Sequence, residues 1–271
     1  MKTRVISAAV GILLFFAVLY VSLYFAPILL IALAALNVIA IYELLRNTTL
    51  CKCLPQIFIA LIFGGVMPFT FYYGTSLTNT VVVCLYVFCI ILTSIIYHNV
   101  VDMQSLFSTL TAPVMLSVAF VSIYNLFTTP DTKHLFFILI FAFSWGADSG
   151  AYFGGTFFGK HKLAPTISPK KTVEGAAFGI LGSVLVTVIV CSIYSSALGV
   201  DIKWLTLSIC AIIFAVVGMI GDLFASLIKR SCGIKDYGNL MPGHGGVLDR
   251  FDSVLLISPL FYFILRILNI A

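Results

Sequence analysis

The chain has 271 residues, 61% of them hydrophobic and only 9% Asp, Glu, Lys or Arg, with a formal net charge of +5. Soluble globular domains carry about 25% charged residues, so the composition excludes a soluble globular chain and points to a polytopic membrane protein. Strand-like alternation is absent, which argues against a membrane β-barrel.

A membrane-spanning helix takes about 20 mainly apolar residues. Apolar runs separated by breakers mark nine such segments, near 5–25, 27–45, 55–74, 79–97, 107–127, 134–156, 174–198, 203–228 and 253–270. The first follows Lys2 and Arg4, as a signal peptide would. Its apolar run is longer than a signal core and lacks a clear small-residue cleavage site before Pro27, so it reads as a retained helix. Pro27 and Pro55 open the second and third segments, where a missing N–H costs little. The fifth, with Pro113 and several Ser and Thr, is the weakest of the nine. The expected fold class is all-α, a polytopic transmembrane helical bundle of about nine spans whose cytoplasmic polar loops form an active site. Residues 1–140 read as an N-terminal hydrophobic helical region and 141–271 as a catalytic membrane region, together one integral membrane unit without an appended soluble domain.

Only Lys133, Lys203 and Arg266 of the 15 Lys and Arg fall on one side of this arrangement; the other twelve fall on the side of the N-terminus. The positive-inside rule then places the N-terminus, the 157–173 loop and the 229–252 loop in the cytoplasm. Net positive charge suits a chain beside an anionic leaflet and anionic substrates. The seven cysteines show no CxxC pair or Cys/His zinc spacing and read as small apolar residues.

Polar chemistry begins at Asp148, inside the sixth segment, where an acid must face a partner or a cavity. Around it Gly146, Gly150 and Gly154 recur every four residues, a spacing that lets helices approach closely. That face could pack within one chain or between two, so a homodimer is one expectation. Next, Ser168-Pro-Lys-Lys-Thr172 ends a basic loop and opens a helix with Thr172 as N-cap. Lys170 and Lys171 beside a helix N-terminus suit an anion, although they also serve simple positive-inside anchoring.

Asp222 lies late in the eighth segment, and Ser226, Lys229 and Arg230 follow at helical spacing along its face. This could be a structural ion-pair array, or it could hold a metal and the phosphates the metal bridges. From Ser226 to Asp252 seven charged residues crowd between two apolar runs: Lys229, Arg230, Lys235, Asp236, Asp249, Arg250 and Asp252. Three glycines surround His244 and free the backbone to approach a ligand. Asp249 and Asp252 open the last helix, where acids are also good capping residues. Mg²⁺ prefers a few carboxylates, water and phosphate oxygens, which Asp222 and Asp249 would suit. There is no nucleophile elbow, Walker A loop or dinucleotide fingerprint.

The spacing S-x-x-K-R-x4-K-D-x-small-x2-apolar-P-x-H-G-G-x-x-D-R-x-D, formed here by Ser226, Lys229-Arg230, Lys235-Asp236, Gly238, Met241, Pro242, His244-Gly245-Gly246, Asp249-Arg250 and Asp252, resembles the phosphatidate cytidylyltransferase (CDP-diacylglycerol synthase) family. Asp148-Ser-Gly-Ala-Tyr152, Ser168–Thr172, Glu174-Gly175 and Gly221-Asp222 are similar to motifs of the same family, so specific matching covers about residues 145–253. Met241 is a conservative departure from the family's usual Ile, Leu or Phe. The resemblance implies the reaction CTP + phosphatidate → CDP-diacylglycerol + diphosphate, in phospholipid biosynthesis at a bacterial cytoplasmic membrane.

On that basis Asp222 and Asp249, then Asp148 and Asp252, are the expected metal ligands. Mg²⁺ is the expected cofactor, with room for a second cation. Lys229, His244 and Arg250 join Asp222 and Asp249 as the catalytic set, His244 donating to the diphosphate leaving group or orienting it. Ser168, Lys170, Lys171, Ser226, Arg230, Lys235 and Asp236 are expected to bind substrate phosphates. CTP, phosphatidate and membrane lipids are the expected partners, and no nucleic acid is. Two rival classes stand beside this reading. An ion-coupled transporter would account for Asp148 and Asp222 but not for the dense polar loop. Another CTP-dependent lipid enzyme, such as a polyprenol kinase, would share the architecture.

Overall fold

A computed structural model describes residues 2–130, 132, 134–240 and 245–268. Among them are nine α-helices: α1 (Lys2–Ser22), α2 (Pro27–Tyr42), α3 (Leu54–Tyr73), α4 (Ser76–Ile96), α5 (Met103–Phe127), α6 (Leu135–Phe158), α7 (Val173–Leu198), α8 (Trp204–Ser231) and α9 (Leu248–Ile267). They correspond to the nine expected segments. A π-helical turn, Glu43–Asn47, continues α2. Seven helices, α2 with its π turn through α8, are long and apolar enough to cross a membrane. In α1 the described apolar stretch, Leu13–Ser22, is shorter than a span. Helix α9 has 20 residues, and its own Asp249, Arg250, Asp252 and Arg266 dilute its apolar character. The chain is an integral membrane protein.

The basic segment after α6, expected as a loop, folds into an antiparallel hairpin of β1 (Lys162–Ala164) and β2 (Ser168–Thr172), pairing Lys162 with Thr172 and Ala164 with Ser168. Three- and five-residue strands are too short to declare themselves by periodicity.

The chain groups into two compact units. The first comprises Met1–Tyr124 with Ser231–Phe251. Here α2 packs on α1 and α3, and α3 on α4. Buried amides tie these helices together. Asn37 Nδ2 donates to Gly64 O and to Ser117 Oγ, both at 2.9 Å, and Gln56 Nε2 donates to Ser94 Oγ at 2.8 Å. Apolar contact between helices gains little over contact with lipid, so such bonds and close packing carry the specificity.

The second unit comprises Asn125–Arg230 with Asp252–Ala271. Its central contact is α6 against α7, backbone on backbone. A Cβ added at Gly182 would stand 2.5 Å from Gly146 O, and one at Gly179 would stand 3.0 Å from Ala147 O. The Gly146/Gly150/Gly154 face read from the sequence is therefore occupied within the chain, by Phe178, Gly179 and Gly182 of α7. Ser183 Oγ joins α7 to the Ala211 carbonyl of α8 at 3.0 Å. Phe143, Phe214 and Phe261 link α6, α8 and α9 with ring centroids 5.1 to 5.6 Å apart.

Candidate active site

In the second unit the polar side chains converge on the end of α8. Thr172 caps α7 as its sequence position predicts, its Oγ accepting from Gly175 N at 3.1 Å. Glu174, in the first turn of α7, accepts the backbone N–H groups of Lys160 and His161, and its Oε1 lies 2.6 Å from His161 Nδ1. These contacts bind the hairpin to the helix it precedes. Alternation along β2 sends Lys170 and Lys171 to opposite faces. Lys170 is exposed, whereas Lys171 is half-buried and its Nζ lies 2.5 Å from Asp222 Oδ2.

The other oxygen of Asp222 accepts from Ser226 Oγ, one turn on in α8, at 3.3 Å. Lys229, a further turn along, is buried, and Arg230 is exposed. Gly221 lets α9 come close: a Cβ there would be 3.0 Å from Asp252 O. This approach brings Asp252 near Asp222. Asp222, Lys229 and Asp148 lie near enough to Asp252 to act on it electrostatically, and Asp222 and Lys171 lie so near to Asp148. Three carboxylates from three helices thus share one electrostatic neighbourhood with two lysines. Asp252 is half-buried and Asp148 exposed. Ser168 lies at the hairpin turn, paired with Ala164.

In the first unit the loop between α8 and α9 carries the remaining candidates. Lys235, Asp236 and Arg250 are exposed, and His244 lies outside the described residues. Asp249 Oδ2 accepts from Tyr237 N at 2.8 Å and Gly246 N at 3.0 Å, so this carboxylate closes the loop on itself. Gly245 has φ +87°, the left-handed conformation that glycine adopts without a steric cost.

Two residues absent from the sequence reading hold the same loop. Glu43 Oε1 accepts from Val247 N at 3.0 Å and Oε2 from Leu248 N at 2.9 Å. Asn47 Nδ2 donates to Tyr237 O at 2.8 Å. The available signal was a carboxylate at the end of an otherwise apolar run, which always asks for a partner.

Among the described residues no group of three His, Cys, Asp or Glu side chains is placed to hold a metal by itself. The donor set still suits a hard cation that takes few protein carboxylates and completes its shell with water and phosphate oxygens.

The model of the cytidylyltransferase family matches residues 2–268. A phosphatidate cytidylyltransferase of Bacillus subtilis (strain 168) is 30% identical over 277 residues, covering 99% of both chains. One from Staphylococcus haemolyticus (strain JCSC1435) is 36% identical over 267 residues, covering 96% of this chain and 97% of that one. One from Staphylococcus aureus (strain COL) is 40% identical over 148 residues, about half of each chain.

Proposed function

Because this chain belongs to the cytidylyltransferase family, we propose that its polar cluster transfers the cytidylyl group of CTP to phosphatidate, forming CDP-diacylglycerol and diphosphate. The observation that carries this reading is the Lys171–Asp222 pair, set with Lys229 among Asp148 and Asp252 beside helices long and apolar enough to cross a membrane. A phosphate oxygen of phosphatidate attacks the α-phosphorus of CTP, and the bond from that phosphorus to the bridging oxygen of the diphosphate breaks. The attacking oxygen is already ionised at neutral pH, so no strong general base is required. The barrier lies in bringing two polyanions together, which preorganised cations lower. Lys171 and Lys229 supply fixed positive charge, and the acids hold these cations in place. Exposed Lys170, Arg230, Lys235 and Arg250 attract the nucleotide.

Magnesium is the proposed cofactor. In the second unit Asp222 is its first proposed ligand, followed by Asp148 and Asp252; Asp249 of the α8–α9 loop is proposed as a ligand separately, and whether one ion or two binds is read by metal stoichiometry. When bound, such a cation neutralises triphosphate charge. For His244 the proposed role is donation to the leaving diphosphate.

The proposed location is a bacterial cytoplasmic membrane with the site facing the cytoplasm, supported by the strong bias of Lys and Arg to one side. Cys232, half-buried just after α8, reports it: a membrane-impermeant maleimide should label it in inverted vesicles and not in right-side-out ones. A homodimer, also proposed, would have to use a face other than the Gly146 stripe, which α7 covers. The mass of the purified particle tests it.

The reaction is tested with purified protein in detergent, labelled CTP, Mg²⁺ and phosphatidate. A labelled CDP-lipid with matching diphosphate release supports the proposal. A phosphorylated alcohol with CDP release would replace it with a lipid kinase.

A further inference from the structure

Glu43 is only 3% exposed, in the π turn that ends the second apolar segment. Burying a carboxylate costs several kcal/mol unless hydrogen bonds compensate. Its compensation is specific. The first N–H groups of α9 have no partners within their own helix, and Glu43 takes two of them, those of Val247 and Leu248. The partial positive charge of a helix N-terminus adds to this attraction. Helices are ordinarily capped from within, by a Ser, Thr, Asp or Asn at the N-cap. Val247 stands there and has no side-chain oxygen, so the cap comes from a residue 204 positions away.

The loop is shaped to receive it. A Cβ at Gly246 would stand 2.5 Å from the Glu43 carboxyl carbon, and one at Gly238 would stand 2.8 Å from it. Both glycines therefore leave the space the carboxylate fills. Tyr237 is held through both backbone groups, its carbonyl by Asn47 and its N–H by Asp249. The π turn thus grips the loop at Tyr237 and at the start of α9, on either side of the segment whose return Asp249 closes.

We infer that Glu43, assisted by Asn47, is a positioning residue for the transfer reaction: it clamps the α8–α9 loop and so sets where Asp249 and Arg250 stand. The inference rests on the proposed function for the reaction it serves, but not for the clamp itself.

Two readouts on the full chain in detergent separate these. Trypsin cleavage after exposed Lys235 reads loop order, and turnover of CTP with phosphatidate reads the reaction. Glu43→Gln keeps the side-chain size and removes one acceptor and the charge. We expect cleavage after Lys235 to accelerate about ten-fold or more as the loop opens. We expect kcat to fall about ten-fold or more, with the KM for phosphatidate within about two-fold of the original. Asn47→Ala, at an exposed position, should move both readouts in the same directions by less. It decides the matter if Glu43→Gln does not fold. Unchanged cleavage in these variants overturns the clamp whatever the turnover. Faster cleavage with unchanged turnover overturns the positioning role. An unsubstituted chain that makes no CDP-lipid sinks the proposed function instead, and leaves the clamp to the cleavage data.

Discussion

Lys171 Nζ stands 2.5 Å from Asp222 Oδ2, joining the β-hairpin to the C-terminal part of α8. Asp148 and Asp252 share the surroundings of Asp222, so this lysine is a counter-charge set against one of a group of three acids. The contact distinguishes Lys171 from Lys170, which is adjacent in sequence and faces the other way.

Lys171→Met should therefore cost far more than Lys170→Met. The first removes a preorganised cation and leaves the acids repelling one another, for an expected loss in kcat/KM of about 10² to 10³-fold. The second removes only an exposed charge and should cost about ten-fold or less, with a stronger dependence on salt. CDP-lipid formation at two ionic strengths measures both. Equal losses would show that strand alternation does not select between the two lysines.

Chelation of divalent ions should abolish turnover, and added Mg²⁺ should restore it. In Asp222→Asn the Mg²⁺ concentration for half-maximal rate should rise about 10- to 100-fold, as expected when a ligand or its support is lost. Asp249→Asn should also lose Mg²⁺-dependent turnover. If both variants keep the original Mg²⁺ response, the metal assignment is wrong.

Gly182→Leu should destabilise the second unit by about 1 to 3 kcal/mol or more, because a side chain there meets the α6 backbone rather than a yielding side chain. Thermal unfolding in detergent reads this as a lower Tm. Gly11→Ala is the comparison, since a Cβ there meets nothing within 4 Å and helix propensity favours alanine by about 1 kcal/mol. A Gly182→Leu protein as stable as the original would contradict the close crossing of α6 and α7.

Thr172→Ala removes the N-cap of α7 and should cost about 1 kcal/mol of stability. Because β2 runs directly into that cap, Lys171 should lose its fixed position, and activity should fall with no large change in KM for phosphatidate. Thr172→Ser, which keeps the hydroxyl, should restore both Tm and rate. A serine variant that behaves like the alanine variant would assign the effect to the lost methyl group and not to the cap.

The membrane class and the nine helical segments were legible in the sequence because hydropathy is a local property: about 20 successive residues at 1.5 Å each decide whether a helix can span. The charged stretch from Ser226 to Asp252 stood out for the same reason, as a dense polar run between apolar ones, and its spacing carried the family resemblance. The N-cap at Thr172 was legible because a cap is a relation over three residues. The short hairpin was not, since its two strands hold too few residues for a period to show.

What only the tertiary structure decided are the pairings between distant residues. Sequence spacing could not tell that Lys171 and not Lys170 meets Asp222, or that α7 covers the small-residue face of α6. It could not separate Asp249, whose carboxylate closes its own loop, from Asp252, which faces the Asp222 cluster, although three positions divide them. Nor could it show that α9 takes its cap from Glu43. A buried charge must find a partner, but its energy depends on distance in space and on desolvation, and neither is written in the order of the residues.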